Sequence, residues 1–204
     1  RDSHPAIFMV EYALAKALQA HGVEPDIVLG ASLGEVAAAT VAGVLDVHQA
    51  LDLVLQQGEF LWQANLPGTL IAVLDKPDIQ QDCATLRQYS EVAAVNLHNN
   101  FLLAVAQQHI PAVEQALKQR NVTFLKLPVN IPFHSRYIDA IQEPTRRLLT
   151  QYAFQPLTIP LYSCATTNQV REFDSAHMWN VFRGQINLNA TVERLEKKGN
   201  YRYV

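Results

Sequence analysis

Residues 27–39 have the sequence IVLGASLGEVAAA, in which three short units follow one another. The apolar run predicts a strand, the two glycines allow a sharp turn, and the alanine-rich stretch after Glu35 predicts a helix. The turn has the form Gly-x-Ser-x-Gly, which is typical of a nucleophile elbow and directs the Ser32 hydroxyl toward the first amides of the helix. The alternative is a serine that caps this helix, and the pattern alone favours neither.

A serine that attacks a carbonyl group at neutral pH needs a base, and the chain has seven histidines. His134 lies in the segment VNIPFHS, in a loop between two predicted units, and this position favours it as the base. Three other histidines lie in or at the ends of predicted helices and are expected on the solvated surface: His21, His48 and His109. The sequence pattern does not decide whether His4 and His98 have a functional role. No His-x-x-x-His pair occurs, so no metal site is expected.

The composition predicts a folded protein that works in a reducing compartment. The chain has 204 residues, of which 49% are hydrophobic, and a formal net charge of -3. With no excess of positive charge to hold phosphate backbones, nucleic-acid binding is not expected as the main role, and an acidic partner would need a local basic patch. Cys83 and Cys164 are too few for a disulfide framework. No apolar run reaches membrane-spanning length and the first residues do not form a signal peptide, so we expect a soluble, cytoplasmic protein without a membrane partner.

Hydrophobic periodicity predicts an inserted module in the middle of the chain. Helices are predicted at 6–20 and 47–63. Strands and helices then follow in the order β-α-β-β-α-β, at 69–74, 79–89, 92–97, 102–106, 110–119 and 123–127. This order is typical of a ferredoxin-like module. A strand at 158–163 and helices at 176–182 and 190–198 complete the prediction.

The sequence from Gly30 to Leu45 resembles the acyltransferases that load acyl carrier proteins, which include malonyl-CoA:ACP transacylases and polyketide synthase acyltransferase domains. The stretch from His4 to Phe8 resembles the helix before their elbow, and PFHS at 132–135 resembles the segment with their catalytic histidine. The resemblance covers nearly the whole chain. It implies an α/β fold, with an α/β hydrolase-like large subdomain at 1–66 and 128–204 and an inserted ferredoxin-like small subdomain at 67–127.

By this resemblance, Ser32 attacks an acyl thioester and His134 takes its proton. The resemblance implies that the amide of Leu33 supplies half of the oxyanion hole. The role of the backbone carbonyl that orients the histidine is assigned to Asn187. The family takes the other half of the oxyanion hole from a glutamine in a glycine-rich stretch before the elbow. The chain starts after that stretch and ends before a glycine-proline segment of the family, so we expect it to be partial.

Three departures from the family pattern bear on the substrate pocket, to which the resemblance also assigns Phe133. Ala31 stands where histidine is usual, which makes the pocket more apolar. Gln57 stands where malonyl-using members place an arginine that pairs with the malonyl carboxylate, and an unpaired buried carboxylate costs roughly several kcal/mol. His98 stands where asparagine is common. For each of these changes the alternative explanation is neutral drift. At Gln57, neutral drift is not expected if malonate is still the substrate.

These residues favour an acyl hydrolase that removes acyl groups from acyl carrier protein, as an editing branch of the family does in polyketide biosynthesis. The alternative is an acyl-CoA:ACP or malonyl-CoA:ACP S-acyltransferase of polyketide or fatty-acid synthesis. An inactive module that only docks carrier protein is an alternative of another class, against which the retention of Ser32 and His134 argues. The expected partners are acyl carrier protein and polyketide synthase components. No cofactor is expected, since acyl-CoA or the phosphopantetheinyl thioester is the substrate.

Overall fold

The computed structural model describes residues 3–204. Its helices are α1 (Ser3–Ala20), α2 (Leu33–Val41), α3 (Val47–Ala64), α4 (Ile79–Asp82), α5 (Ala84–Tyr89), α6 (Ile110–Gln119), α7 (Gln142–Leu149), α8 (Ser175–Arg183) and α9 (Leu188–Glu196). Its strands are β1 (Val28–Gly30), β2 (Gly68–Leu74), β3 (Ser90–Leu97), β4 (Asn100–Ala106), β5 (Thr123–Lys126), β6 (Leu161–Ser163), β7 (Asn168–Gln169) and β8 (Ile186–Asn187). Short 3-10 helices lie at Gln107–His109 and Arg136–Ile141.

The first sheet places the end of β1 beside the start of α2. β1 pairs in parallel with β6, with Gly30 opposite Ser163, and β7 pairs antiparallel to β6. A hydrophobic cluster packs α1, α2, α3, α7 and α8 together, and its buried residues fall within 8–61 and 138–182. The burial of this apolar surface holds the short strand β1 in place, because three residues alone make too few contacts for a stable strand.

The second sheet has the strand order β5-β2-β4-β3-β8. Its first four strands pair antiparallel, and together with α4, α5 and α6 they form the predicted β-α-β-β-α-β module. A separate hydrophobic cluster fills this module, with buried residues between Ile71 and Leu117. The fold is therefore α/β with a ferredoxin-like small module. β8 was not predicted, and it pairs in parallel with β3, so the sheet extends beyond residues 67–127. The subdomain boundaries stay a prediction.

Three local features differ from the sequence-based expectation. The helix predicted at 79–89 is two helices, because Cys83 between them has an extended backbone. The strand predicted at 158–163 begins only at Leu161, since Pro160 has no amide to donate to a ladder. The 3-10 helix after His134 and the following α7 were not predicted. Among residues 3–204, no helix combines the length and the apolar character that crossing a bilayer requires.

Candidate active site

The predicted elbow is present, and its backbone is strained at Ser32. Ser32 lies between β1 and α2 with φ 57° and ψ -125°, a conformation that residues with a side chain rarely adopt. Gly30 makes the turn possible, because a Cβ there would lie 2.2 Å from the Cα of Glu35. The Ser32 side chain makes no capping hydrogen bond to α2, so the capping alternative is not found.

The Ser32 hydroxyl instead meets His134. Ser32 Oγ lies 2.7 Å from His134 Nε2, although 102 positions separate the two residues. The other ring nitrogen, Nδ1, lies 3.0 Å from the carbonyl oxygen of Gly184. A carbonyl can only accept, so Nδ1 carries the proton and Nε2 is left to accept the hydroxyl proton. A nucleophile, a base and a group that orients the base are thus aligned.

The surroundings of His134 keep its imidazole neutral. The side chain is buried, with 7% exposed. The pKa of His134 is lowered to about 4, mainly by burial and to a smaller extent by nearby His4 and Arg183, whereas the hydrogen bond to Gly184 acts in the opposite direction. Phe133 contributes to this burial, since its ring centroid lies 6.5 Å from that of His134 and 5.1 Å from that of His4. A neutral imidazole can accept a proton at pH 7.

The residue that orients His134 is Gly184, and the assignment of Asn187 to this role is wrong. The backbone carbonyl of Asn187 instead accepts from the Thr191 hydroxyl at 2.7 Å, and its side chain accepts from the Ala190 amide at the start of α9. Gly184 ends α8, and a Cβ at this position would lie 2.4 Å from Asn180 Oδ1. The sequence carries no signal for this position, because the acceptor is a backbone carbonyl, which every residue has.

The first amide of α2 is available for an anionic oxygen. The amides of Gly34 and Glu35 donate to the carbonyls of Ala31 and Ser32. The Leu33 amide, one residue earlier, has no acceptor within residues 3–204. It stands at the positive end of the helix dipole, directly after Ser32. This is the position that an oxyanion-hole donor needs.

The other predicted pocket residues lie in different surroundings. Gln57 is buried in α3, 7% exposed, and its side-chain amide makes no hydrogen bond within the described part of the chain. A buried amide without a protein partner can bind a ligand. Ala31 packs beside Ala94, Cys164 and Ile186, where the two sheets meet. His98 is exposed in the turn between β3 and β4, and the structure gives it no contact with Ser32 or His134.

The cation near the site is held by carboxylates. Arg183 lies close enough to lower the pKa of His134, yet its guanidinium donates to Asp139 and to Glu91. It is therefore not available to pair with a substrate carboxylate. Among the described residues, no group of three or more His, Cys, Asp and Glu side chains is placed to hold a metal ion.

The chain is similar in sequence to known proteins. A family model described as acyl transferase domain matches residues 1–203. The chain is 37% identical to "Polyketide biosynthesis acyltransferase homolog BaeD" of Bacillus velezensis and 35% identical to "Polyketide biosynthesis acyltransferase homolog PksD" of Bacillus subtilis. Each alignment covers 99% of this chain and 62% of the relative, so the chain spans less than two thirds of their length.

Solved structures have the same fold. The acyltransferase domain from the second module of the salinomycin polyketide synthase superposes with a TM-score of 0.90 at 30% identity, over 98% of this chain and 48% of that one. The malonyl-CoA:ACP transacylase of Synechocystis sp. PCC 6803 superposes with a TM-score of 0.84 at 26% identity, over 97% of this chain and 68% of that one.

Proposed function

This chain belongs to the acyl transferase domain family, and we propose that it moves acyl groups from thioesters through an acyl ester on Ser32. The observation that carries the proposal is the aligned series of Ser32 Oγ, the two ring nitrogens of His134 and the Gly184 carbonyl. The strained backbone of Ser32 adds support, because such strain is typical of reactive positions.

In the first half-reaction, the Ser32 hydroxyl gives its proton to Nε2 of His134 as Oγ bonds to the thioester carbonyl carbon. The negative charge that forms on the carbonyl oxygen is stabilised by the Leu33 amide. The carbon–sulfur bond then breaks, the thiol leaves with the proton from His134, and the acyl group stays on Ser32. In the second half-reaction an acceptor attacks the ester carbonyl carbon while His134 takes the proton of that acceptor. The bond between this carbon and Ser32 Oγ then breaks, and His134 returns the proton to Oγ, which restores the free hydroxyl.

We infer that the acyl group is uncharged. Gln57 is a neutral amide, and Arg183 is engaged by Glu91 and Asp139, so a malonyl carboxylate would lack a counter-charge. Burying a carboxylate without a partner costs roughly several kcal/mol, whereas an acetyl or butyryl chain has no such cost. Acyl chains of this kind, carried on the phosphopantetheinyl arm of an acyl carrier protein or on coenzyme A, are the proposed substrates.

Water is the proposed acceptor, which makes the protein an acyl-thioester hydrolase of polyketide biosynthesis. Enzymes that load carrier proteins for chain extension deliver carboxylated units, and the neutral Gln57 does not select such units. Transfer to a carrier-protein thiol is the second candidate. The fold shared with a malonyl-CoA:ACP transacylase favours this candidate. Acyl carrier protein and polyketide synthase components are the proposed partners, in line with the names of the relatives.

Intact-protein mass spectrometry with butyryl and malonyl thioesters of a carrier protein tests the proposal. We expect a butyryl adduct on the wild type, no adduct on Ser32→Ala, and free butyrate as the main product. Ser175→Ala is the matched control, because Ser175 lies at the start of α8 and its hydroxyl donates to Leu149. An adduct that persists in Ser32→Ala would refute the nucleophile. Transfer to carrier protein without free acid would select the transferase, and a wild type that forms no adduct, no free acid and no transfer product would indicate a docking module.

A further inference from the structure

Glu91, on β3 of the small module, binds two segments that lie outside this module. Its Oε2 accepts from the backbone amide of Arg136 at 3.0 Å and from the Arg136 guanidinium at 3.3 Å. Its Oε1 accepts from the guanidinium of Arg183 at 3.1 Å. Each carboxylate oxygen thus holds a different segment, and the two segments lie 45 and 92 positions away along the chain.

Both segments lead directly to His134. Arg136 follows His134 by two residues, and its bound amide fixes the backbone just after the imidazole. Arg183 precedes Gly184, whose carbonyl accepts from Nδ1 of the same ring. The backbone that carries His134 and the acceptor that orients its ring are therefore tied to a single carboxylate.

Further contacts fix the loop after His134 on the same edge of the small module. Arg136 also donates to the Gln88 carbonyl at 3.3 Å, and the Tyr137 hydroxyl donates to the Tyr89 carbonyl at 3.2 Å. The side chains of Arg136 and Glu91 are 46% and 28% exposed, so this ion pair by itself contributes little to the free energy of unfolding. What these contacts supply together is a fixed geometry, since charge-assisted hydrogen bonds are strongly directional.

We propose that Glu91 is a positioning residue, which holds the loop of His134 and the Gly184 carbonyl at the separation that keeps the imidazole aimed at Ser32. The proposal rests on the proposed function of the Ser32 and His134 pair. Small displacements of a catalytic group lower rates strongly, because the reacting atoms must be aligned before reaction. The competing explanation is that Glu91 only attaches the small module, in which case its loss lowers stability but leaves the chemistry unchanged.

The variant Glu91→Gln separates these explanations. A carboxamide has the shape of the carboxylate, but its NH₂ group faces one of the two guanidinium groups, so one of the two attachments must break. Glu91→Asp keeps both oxygens and the charge on a shorter stem. Glu143→Gln is the matched control, because Glu143 also pairs with an arginine, Arg147 at 3.7 Å, on an exposed helix surface.

The measurements are the acylation rate constant with butyryl-CoA at saturation, the concentration that gives half of this rate, and the melting temperature of the whole chain. For Glu91→Gln we expect a rate constant about tenfold below wild type, with an unchanged half-saturating concentration. For Glu91→Asp we expect about a threefold loss. Glu143→Gln should match the wild type. If Glu91→Gln does not fold, Glu91→Asp provides the test. An acylation rate constant of the folded variant equal to that of the wild type overturns the proposal.

Labelling of Ser32 by a fluorophosphonate, followed in the same variants, keeps this test separate from the proposed function. The reagent needs an activated serine but no acyl thioester. A wild type that is labelled but not acylated would refute the acyl-transfer proposal. The labelling rates of the variants would still test the positioning role of Glu91. A labelling rate of Glu91→Gln equal to that of Glu143→Gln, or a loss seen only in the half-saturating concentration, overturns the positioning role.

Discussion

Replacing Gly30 by alanine places a methyl group where the elbow has no room. The new Cβ would lie 2.2 Å from the Cα and 2.5 Å from the nitrogen of Glu35, and 2.7 Å from the carbonyl oxygen of Gly34. All three are backbone atoms of the first turn of α2, so no side-chain rotation relieves the overlap. Ordinary contact begins at 3.4 Å, and the backbone at Glu35 must therefore retreat by about 1 Å.

That retreat moves the groups that carry the proposed chemistry. The Leu33 amide belongs to the same turn, and Ser32 Oγ now lies 2.7 Å from His134 Nε2. A displacement of about 1 Å at a reacting group costs on the order of 100-fold in rate. The overpacking itself is expected to lower the free energy of unfolding by about 1–3 kcal/mol. We expect Gly30→Ala to fold and to be acylated at about 1% of the wild-type rate.

Gly34→Ala is the control, because it changes the other glycine of the same motif. A Cβ at Gly34 meets only the Oε1 atom of Glu11, at 3.8 Å, which is an ordinary contact with a side chain. Rapid-quench acylation by butyryl-CoA, with melting temperatures for both variants, provides the comparison. Equal losses in the two variants, or a wild-type rate in Gly30→Ala, would show that close packing behind Ser32 does not set the reaction geometry.

The remaining predictions concern the base and the acyl pocket. His134→Ala should slow acylation by at least about 100-fold, because the hydroxyl proton loses its acceptor, whereas His98→Ala should have little effect; the reverse result would move the base to His98. Because burial lowers the pKa of His134 to about 4, the acylation rate should stay level from pH 8 to pH 5 and fall as the pH drops through about 4; a pH–rate profile with its midpoint near 6.5 would contradict this. Gln57→Arg should raise the ratio of malonyl to butyryl acylation by about tenfold, since arginine supplies the charged pair and its unpaired cation disfavours butyryl chains. An unchanged ratio, or a wild type that already prefers malonyl, would contradict the proposal of an uncharged acyl group and favour a loading transferase.

The sequence predicted those parts of the fold that depend on local pattern. The elbow, α3 and the order of the small module follow from periodicity and from glycine placement within short windows. The resemblance supplied His134 as the partner of Ser32, across 102 positions. By contrast, β8 has two residues, and its pairing with β3 depends on residues about 90 positions apart in the chain. No local periodicity signals a strand of that length.

Part of the site could not be predicted because it consists of backbone groups and long-range polar contacts. The group that orients His134 is a carbonyl oxygen, which every residue has, so residue type gives no indication of it. Glu91 is one of 19 acidic residues, and its position in the sequence does not connect it with His134. Only the folded chain shows that its two oxygens bind the segments on either side of the imidazole.

Both members of the reacting pair have a left-handed backbone, with φ 57° at Ser32 and φ 55° at His134. Such conformations cost about 1–3 kcal/mol each and persist only where the surroundings enforce them. At Ser32 the close approach of Gly30 to Glu35 enforces the turn. At His134 the fully buried Ser135 donates its hydroxyl to the Pro132 carbonyl at 2.6 Å, which closes the loop from behind. The first constraint lies between β1 and α2, and the proposed constraint from Glu91 lies on β3 of the small module. The alignment of the pair is therefore expected to depend on the packing of this module against the first sheet and its helices. Loosening that packing should therefore lower the acylation rate before the protein unfolds.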